Sequence, residues 1–340
     1  MTVTIRDVAR EAGVSVATVS RVFNDKGPVR EETRIRIRQA AERLRYHPHG
    51  GARSLTTRRA GMLGVVLPDL YGEFFSEVIR GIDQRARRHG YHLLVSSSHD
   101  DRAEIEAVLR SMRGRVDGLI VMSPDIDAQT LRVNLPETLP VVLLNCLVAG
   151  TGLDSIGIDN FRGAHGMVTH LFEHGHRRIA LIGGPVANHD ARERLEGYRA
   201  ALREAGADRS EELEVTGDFT VRSGYHAALQ LVRLPSPPTA IFAANDSMAI
   251  GAFGGLRKAG KAVPEDIAVA GFDDIPSGRY MNPPLTTVHV SIHELGMRAC
   301  ERLVGGVLAG ERDHAPGEVV PTRIVVRRSC GCPENGNEGL

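Results

Sequence analysis

From Gly61 onward, short apolar runs alternate with stretches of helical periodicity, and this alternation restricts the fold more than any other feature of the chain. The apolar runs fall at 62–67, 92–95, 118–122, 141–144, 179–182, 239–243 and 267–272. Between them lie helical patterns at 75–89, 102–113, 161–173, 192–205, 222–231 and 247–259. Strand, helix and strand repeated in this way predict parallel sheets with helices on both faces. Two such series, parted near residue 160, predict two doubly wound lobes. A ligand then belongs in the cleft outside the carboxyl ends of the strands.

The residues that follow the runs are therefore candidates for a site. They are Ser123, Asn145, Asn245 with Asp246, and Asp273 with Asp274. Carboxylates accept hydrogen bonds and amides both accept and donate, which suits recognition of hydroxyl groups. Each also has a structural reading. Asp246 is read as the cap of a helix beginning at Ser247, and Asp274 as a loop cap. Ser123, Asn145 and Asp273 stay open between the two roles at this point.

The 340 residues carry 42 basic and 42 acidic side chains, but the balance is uneven along the chain. The first 60 residues hold thirteen Lys or Arg against six Asp or Glu, a net +7, and the remainder is −7. A small basic head on an acidic body is attracted to phosphate at one end only, which points to nucleic acid. Within the head, Thr4 followed by Asp7 reads as a capping box opening a helix whose inner face is Ile5, Val8, Ala9 and Ala12. Gly13 supplies a tight turn. Ser15 opens a second helix with Val19, Val22 and Phe23 inward and Val16, Ala17, Ser20 and Arg21 outward. A third, over 31–46, turns Ile37, Ala40, Ala41 and Leu44 inward and Arg34, Arg36, Arg38 and Arg43 largely outward. The first two form a helix-turn-helix, whose second helix can enter the major groove.

The stretch TIRDVAREAGVSVATVSRVFN resembles the DNA-binding head of the LacI/GalR repressor family position by position. Tyr46-His47-Pro48 and Ala52-Arg53-Ser54-Leu55 resemble its hinge, and the similarity runs to about residue 329. The resemblance implies an all-α helix-turn-helix head (1–47), a hinge (48–60) and an α/β bilobal body (61–329) like that of periplasmic binding proteins. Lobes of about 61–160 and 161–290 and crossovers near 160, 290 and 320 are expected, followed by a flexible tail (330–340).

It also implies that Val16, Ala17 and Arg21 read bases. Arg21 can present its fork to guanine, whereas Val16 and Ala17 offer apolar contact. Thr4, Ser15, Thr18 and Ser20 are implied phosphate contacts. Leu55, flanked by Arg53 and Ser54, falls where the family wedges a minor groove. His49 stands where the family usually has Asn, followed by Gly50 and Gly51; each Gly weakens a helix by about 1 kcal/mol. A hinge helix is thus expected to order only on DNA. In the body the resemblance implies that Asp273 holds a ligand position, and it adds Phe74, Asp190, Arg194 and Phe219 to the ligand set. Purine-binding relatives use an arginine where this chain has Asn188, so a sugar or sugar phosphate is the expected effector, with a purine or other metabolite as the alternative.

Other classes fit less well. The chain has no GxSxG, GxxxxGK[ST] or HExxH, so those esterase, P-loop and zincin signatures are missing, and no enzyme and no cofactor are expected. Asp273 and Asp274 with His293 offer neither nucleophile nor metal. His174-Gly175-His176 is read as a turn, and Cys330-Gly331-Cys332 as part of a fraying tail with no metal or redox role. No apolar run reaches the ~18–20 residues of a membrane span. The N-terminus meets charge at Arg6 and Asp7, unlike a secretory signal, and four cysteines without framework spacing fit a reduced compartment. A cytoplasmic location is expected. Because one recognition helix reads a half-site, a homodimer on palindromic duplex DNA is expected; the tail after Cys332 has no heptads for a larger assembly. A solute receptor without regulatory role would share the body but not the head and hinge.

Overall fold

The computed structural model describes residues 3–24, 27–46, 59–99, 101–123, 126–146, 152–207, 211–309 and 317–332. The chain divides into two compact units, the smaller holding the head helices and the larger holding both sheets.

The head comprises α1 (Ile5–Glu11), α2 (Val16–Phe23) and α3 (Glu31–Arg43). At the start of α1 the Thr4 N–H donates to Asp7 Oδ2 at 2.9 Å, and its hydroxyl reaches the same oxygen at 2.7 Å. Gly13 takes a φ of +63°, the left-handed conformation that the turn between α1 and α2 requires. Ser15 Oγ then accepts from the Thr18 N–H at 3.1 Å and caps α2. Val8, Ala9, Ala12, Val19, Val22, Ile37, Ala40, Ala41 and Tyr46 form the core of this unit. The third helix stops at Arg43, three residues before the expected end, and Arg45 adopts positive φ. The hinge readings at His49, Gly50, Gly51, Arg53, Ser54 and Leu55 lie outside the described residues.

Among the described residues of the body, twelve strands form two six-stranded sheets. The first contains β1 (Met62–Leu67), β2 (His92–Ser97), β3 (Gly118–Val121), β4 (Val141–Leu144), β5 (Asp154–Ile158) and β11 (Glu318–Val320), in the order β11-β5-β4-β3-β1-β2. The second contains β6 (Ile179–Gly183), β7 (Glu214–Thr216), β8 (Ala240–Ala243), β9 (Ala268–Asp273), β10 (Thr286–His289) and β12 (Arg323–Val325), in the order β12-β10-β9-β8-β6-β7. The central strands β3, β8 and β9 are buried along their whole length, as parallel strands covered on both faces must be.

The helices are α4 (Glu73–Arg88), α5 (Arg102–Met112), α6 (Ala128–Asn134), α7 (Asn160–Glu173), α8 (His189–Glu204), α9 (Val221–Leu231), α10 (Asp246–Lys258) and α11 (Ile292–Ala309). The chain passes from the first sheet to the second between β5 and β6, returns between β10 and β11, and crosses again between β11 and β12. The first two passages each carry a helix across: α7 packs on α8, and α11 packs on α4. Each lobe is thus completed by a helix that follows a strand of the other.

The C-terminal boundary differs from expectation. Arg328–Cys330 forms a 3-10 turn packed on β9 and β10, and Ser329, Cys330 and Cys332 are buried. The Ser329 hydroxyl donates to Val269 O at 2.6 Å and accepts from Thr286 N at 2.8 Å. These bonds hold 330–332 in the body rather than in a free tail; residues 333–340 lie outside the described set.

Candidate functional site

In the head, α2 presents one face to solvent. Val16, Ala17 and Arg21 are exposed there, while Val19 and Val22 on the opposite side are buried. The hydroxyls read as phosphate contacts have local duties as well. The Thr4 proton points to Asp7, and Ser15 Oγ lies 2.8 Å from Thr18 Oγ1. Ser20 Oγ accepts from Asn24 Nδ2 at 3.1 Å, which leaves its own proton available.

In the body, α8 places Arg194 at the end of the second sheet. Its Nε donates to Asn160 Oδ1 at 2.8 Å, and its Nη1 donates to Ala244 O at 2.5 Å, just beyond β8. Its guanidinium lies 3.7 Å above the centre of the Phe272 ring. The remaining nitrogen, Nη2, stands 3.3 Å from Asp273 Oδ1, but that oxygen receives no aligned hydrogen bond. Burial pushes the Asp273 carboxyl up to about 7; Arg194 pulls it down and Asp190 pushes it further up.

Asp190 is partly accessible and accepts from Asn160 Nδ2 at 3.0 Å. Burial raises its pKa, against the pull of Arg194 and His189. Asn160 therefore joins Arg194 and Asp190 through the two ends of one amide. Asn145 follows β4 and is buried, yet neither its Oδ1 nor its Nδ2 has a hydrogen-bond partner among the described residues.

Asn145 and Asp190 both line a cavity of about 220 Å³, together with Ser155, Asn160, His189 and Glu193. The cavity takes residues from both lobes, since Asn145 and Ser155 belong to the first and His189, Asp190 and Glu193 to the second. Asn145, Phe219, Asp273 and Asp274 all hold positive φ. Side chains rarely adopt this conformation, and strain of this kind gathers at functional sites.

The other expected ligand residues make different contacts. Asn245 caps α10, with Oδ1 accepting from Met248 N at 2.9 Å and Nδ2 donating to Phe219 O at 3.1 Å. Phe219 is partly buried against the second lobe's core. Ser123 is buried after β3, and Phe74 stands edge-on to Phe75 on α4. Of the expected ligand residues only Asn145 and Asp190 line the cavity; Arg194 and Asp273 reach it through Asn160 and Asp190 rather than directly.

Asp246 is not the helix cap that was expected, because Asn245 occupies that position. The Asp246 carboxylate instead accepts from Ile275 N at 2.8 Å and from Thr287 Oγ1 at 2.5 Å, tying the loop after β9 to β10. Asp274 accepts from Arg327 at 2.6 Å and from His289 at 2.8 Å. It lines a separate cavity of about 530 Å³ that touches none of the eight expected ligand residues. Asn188 caps α8 through Ala191 N at 3.0 Å.

Asn160 was absent from the expected set. The strand before it, β5, begins with Asp154 and contains Gly157, so its apolar signal is weak. Had that strand been recognised, the same search of strand ends would have reached Asn160.

Residues 4–49 match the bacterial regulatory proteins of the lacI family, and residues 168–330 match the periplasmic binding protein-like domain. The ribose operon repressor of Escherichia coli (strain K12) is 37% identical over 303 residues, covering 88% of this chain and 92% of the relative. The chain belongs to the lacI family. The repressor CytR of the same strain is 34% identical over 331 residues, 96% of each chain. A crystal structure of the lac repressor dimer bound to operator and the anti-inducer ONPF superposes with a TM-score of 0.86. It is 30% identical, and the match covers 97% of this chain and 99% of that one.

Membership makes the chain a DNA-binding transcriptional regulator that responds to a small molecule. The helical head and the two parallel-sheet lobes are the family's architecture. No helix among the described residues is long and apolar enough to cross a membrane.

Proposed function

We propose that this regulator is a homodimeric, cytoplasmic repressor that binds a palindromic operator and takes a monosaccharide, with D-ribose the first candidate, between its lobes. It has no catalytic step of its own. The carrying observation is the set of buried polar atoms without hydrogen bonds. Among the described residues both amide atoms of Asn145 lack hydrogen bonds, and Oδ1 of Asp273 has an ion-pair neighbour in Arg194 but no aligned hydrogen bond; leaving such an atom unsatisfied costs about 1–3 kcal/mol. A sugar hydroxyl both donates and accepts, and adjacent hydroxyls can serve an amide, a carboxylate and a guanidinium together. Arg194, Asp273, Asp190 and Asn160 supply that combination, and Asn145 of the first lobe lines the same cavity as Asp190 and Asn160. A cavity of about 220 Å³ falls below the ~300 Å³ at which drug-sized pockets begin, which suits one sugar ring. The names of the ribose operon and lac repressors support a sugar. A purine fits less well, because Asn188 is committed to capping α8.

Val16, Ala17 and Arg21 read bases on this proposal, and Thr18 and Ser20 position the head on phosphates. The control is linkage: a sugar that prefers one arrangement of the lobes shifts the equilibrium between forms that hold the two heads in or out of operator register. Thermal unfolding with a panel of sugars and purines tests the effector class. At a hundred times its Kd a ligand stabilises by about 2.7 kcal/mol, so a raised Tm with D-ribose, lost in Asn145→Ala, is expected. A response to purines alone would overturn the sugar assignment.

A further inference from the structure

His170, Cys330 and Cys332 meet in the body away from the effector cluster. His170 lies in the last turn of α7, and Cys330 ends the turn after β12. Gly331, with a φ of +80°, reverses the chain and brings Cys332 back beside the other two. All three side chains are buried, and their donor atoms lie within 4.8 Å of one another.

Cys332 Sγ stands 3.6 Å from His170 Nε2. Two ligands of one tetrahedral zinc, with Zn–S about 2.3 Å and Zn–N about 2.0–2.1 Å, are themselves about 3.6 Å apart. A thiol–imidazole hydrogen bond would explain that one distance, and Cys330 Sγ has Arg327 O at 3.4 Å; neither contact requires all three soft donors to lie within 4.8 Å of one another. Thr286 Oγ1 lies 3.2 Å from Cys330 Sγ and 2.9 Å from Arg327 O, so its one proton serves either acceptor.

We propose that His170, Cys330 and Cys332 bind one Zn²⁺ ion, with a water completing the tetrahedron. Two thiolates and an imidazole are the donors a thiophilic ion selects, and they exclude Mg²⁺ and Ca²⁺, which take oxygen. The ion joins the C-terminal segment, just after it leaves β12, to α7. That helix packs against β10 and β12 and follows the first crossover between the lobes. The site is structural: it fixes the end of the chain to a helix that links the two halves.

The test uses the full chain without an affinity tag. Metal analysis after dialysis is expected to find one Zn²⁺ per chain in the wild type and in Cys146→Ser, and none in Cys330→Ser/Cys332→Ser. Cobalt added to metal-stripped protein is expected to give the thiolate charge-transfer and tetrahedral d–d bands in the wild type. Should the double variant fail to fold, His170→Asn must lose the same bands. Wild-type protein with neither zinc nor cobalt bands overturns the proposal, and so does zinc retained at full stoichiometry in the double variant.

Discussion

The Asp273 carboxyl gives the sharpest prediction for effector binding. Burial raises its pKa to about 7, so roughly nine-tenths of the group is charged at pH 8 and roughly one-tenth at pH 6. A sugar hydroxyl that donates to Asp273 needs the carboxylate. Its apparent Kd should therefore weaken about tenfold from pH 8 to pH 6. Hydrogen bonds to a charged group contribute about 1.5–3 kcal/mol, so Asp273→Asn should weaken binding about tenfold or more at pH 8 and flatten the profile. Arg194 and Asp190 are the groups whose charges act on the Asp273 carboxyl. If Asp190 carried the titration instead, the slope would survive in Asp273→Asn. Stability has a matching sign. A carboxyl raised in the folded state stabilises while it is neutral, and that contribution is lost as pH rises from 3.8 through about 7. Calorimetric titration with D-ribose at pH 6, 7 and 8 measures the effect. A flat wild-type profile, or wild-type affinity in Asp273→Asn, would refute the reasoning.

Two further outcomes follow from buried and exposed charge. At Asp274, burial favours the neutral form, but the hydrogen bonds from His289 and Arg327 outweigh it and hold the carboxyl below its usual range. Asp274→Asn should cost about 3–5 kcal/mol at pH 7, as when one partner of a buried pair is removed. Because the folded pKa is depressed, the gap in chemical denaturation should close as pH falls through that lowered value. In the head, Arg21→Ala should lose about 1–3 kcal/mol of discrimination at one base pair of each half-site. Competition binding with operator variants measures it, and unchanged preference would remove Arg21 from base reading.

The interior of the fold was legible because parallel strands buried on both faces must be continuously apolar. All seven apolar runs became strands, with ends moved by a residue or two. The strands without a run have physical reasons for it. β7, β11 and β12 are three-residue edge strands, partly exposed. β10 opens with Thr286 and Thr287, fully buried because their hydroxyls bond Arg327 and Asp246. In α11, Gly296, Gly305 and Gly306 dilute the helical pattern.

The site was legible only in part. Strand-end polarity pointed to Asn145 and Asp273, but it could not tell Asn145, which lines the cavity, or Asp273, which meets Arg194, from a residue spent on capping, as Asn245 is. Nor could it show that Arg194 and Asp190 share one amide. The same limit hid the association of His170 with Cys330 and Cys332, which are 160 and 162 residues away in sequence. Partner choice at such positions is decided by tertiary geometry, which leaves no periodic trace in the sequence.

The most direct test of the whole account is selection of operator sites from random duplex DNA, repeated with D-ribose present. The account predicts enrichment of one palindrome, bound by a dimer with strong salt dependence, and a change in that enrichment when the sugar is added. Failure to enrich any sequence with protein that still binds the sugar would contradict it.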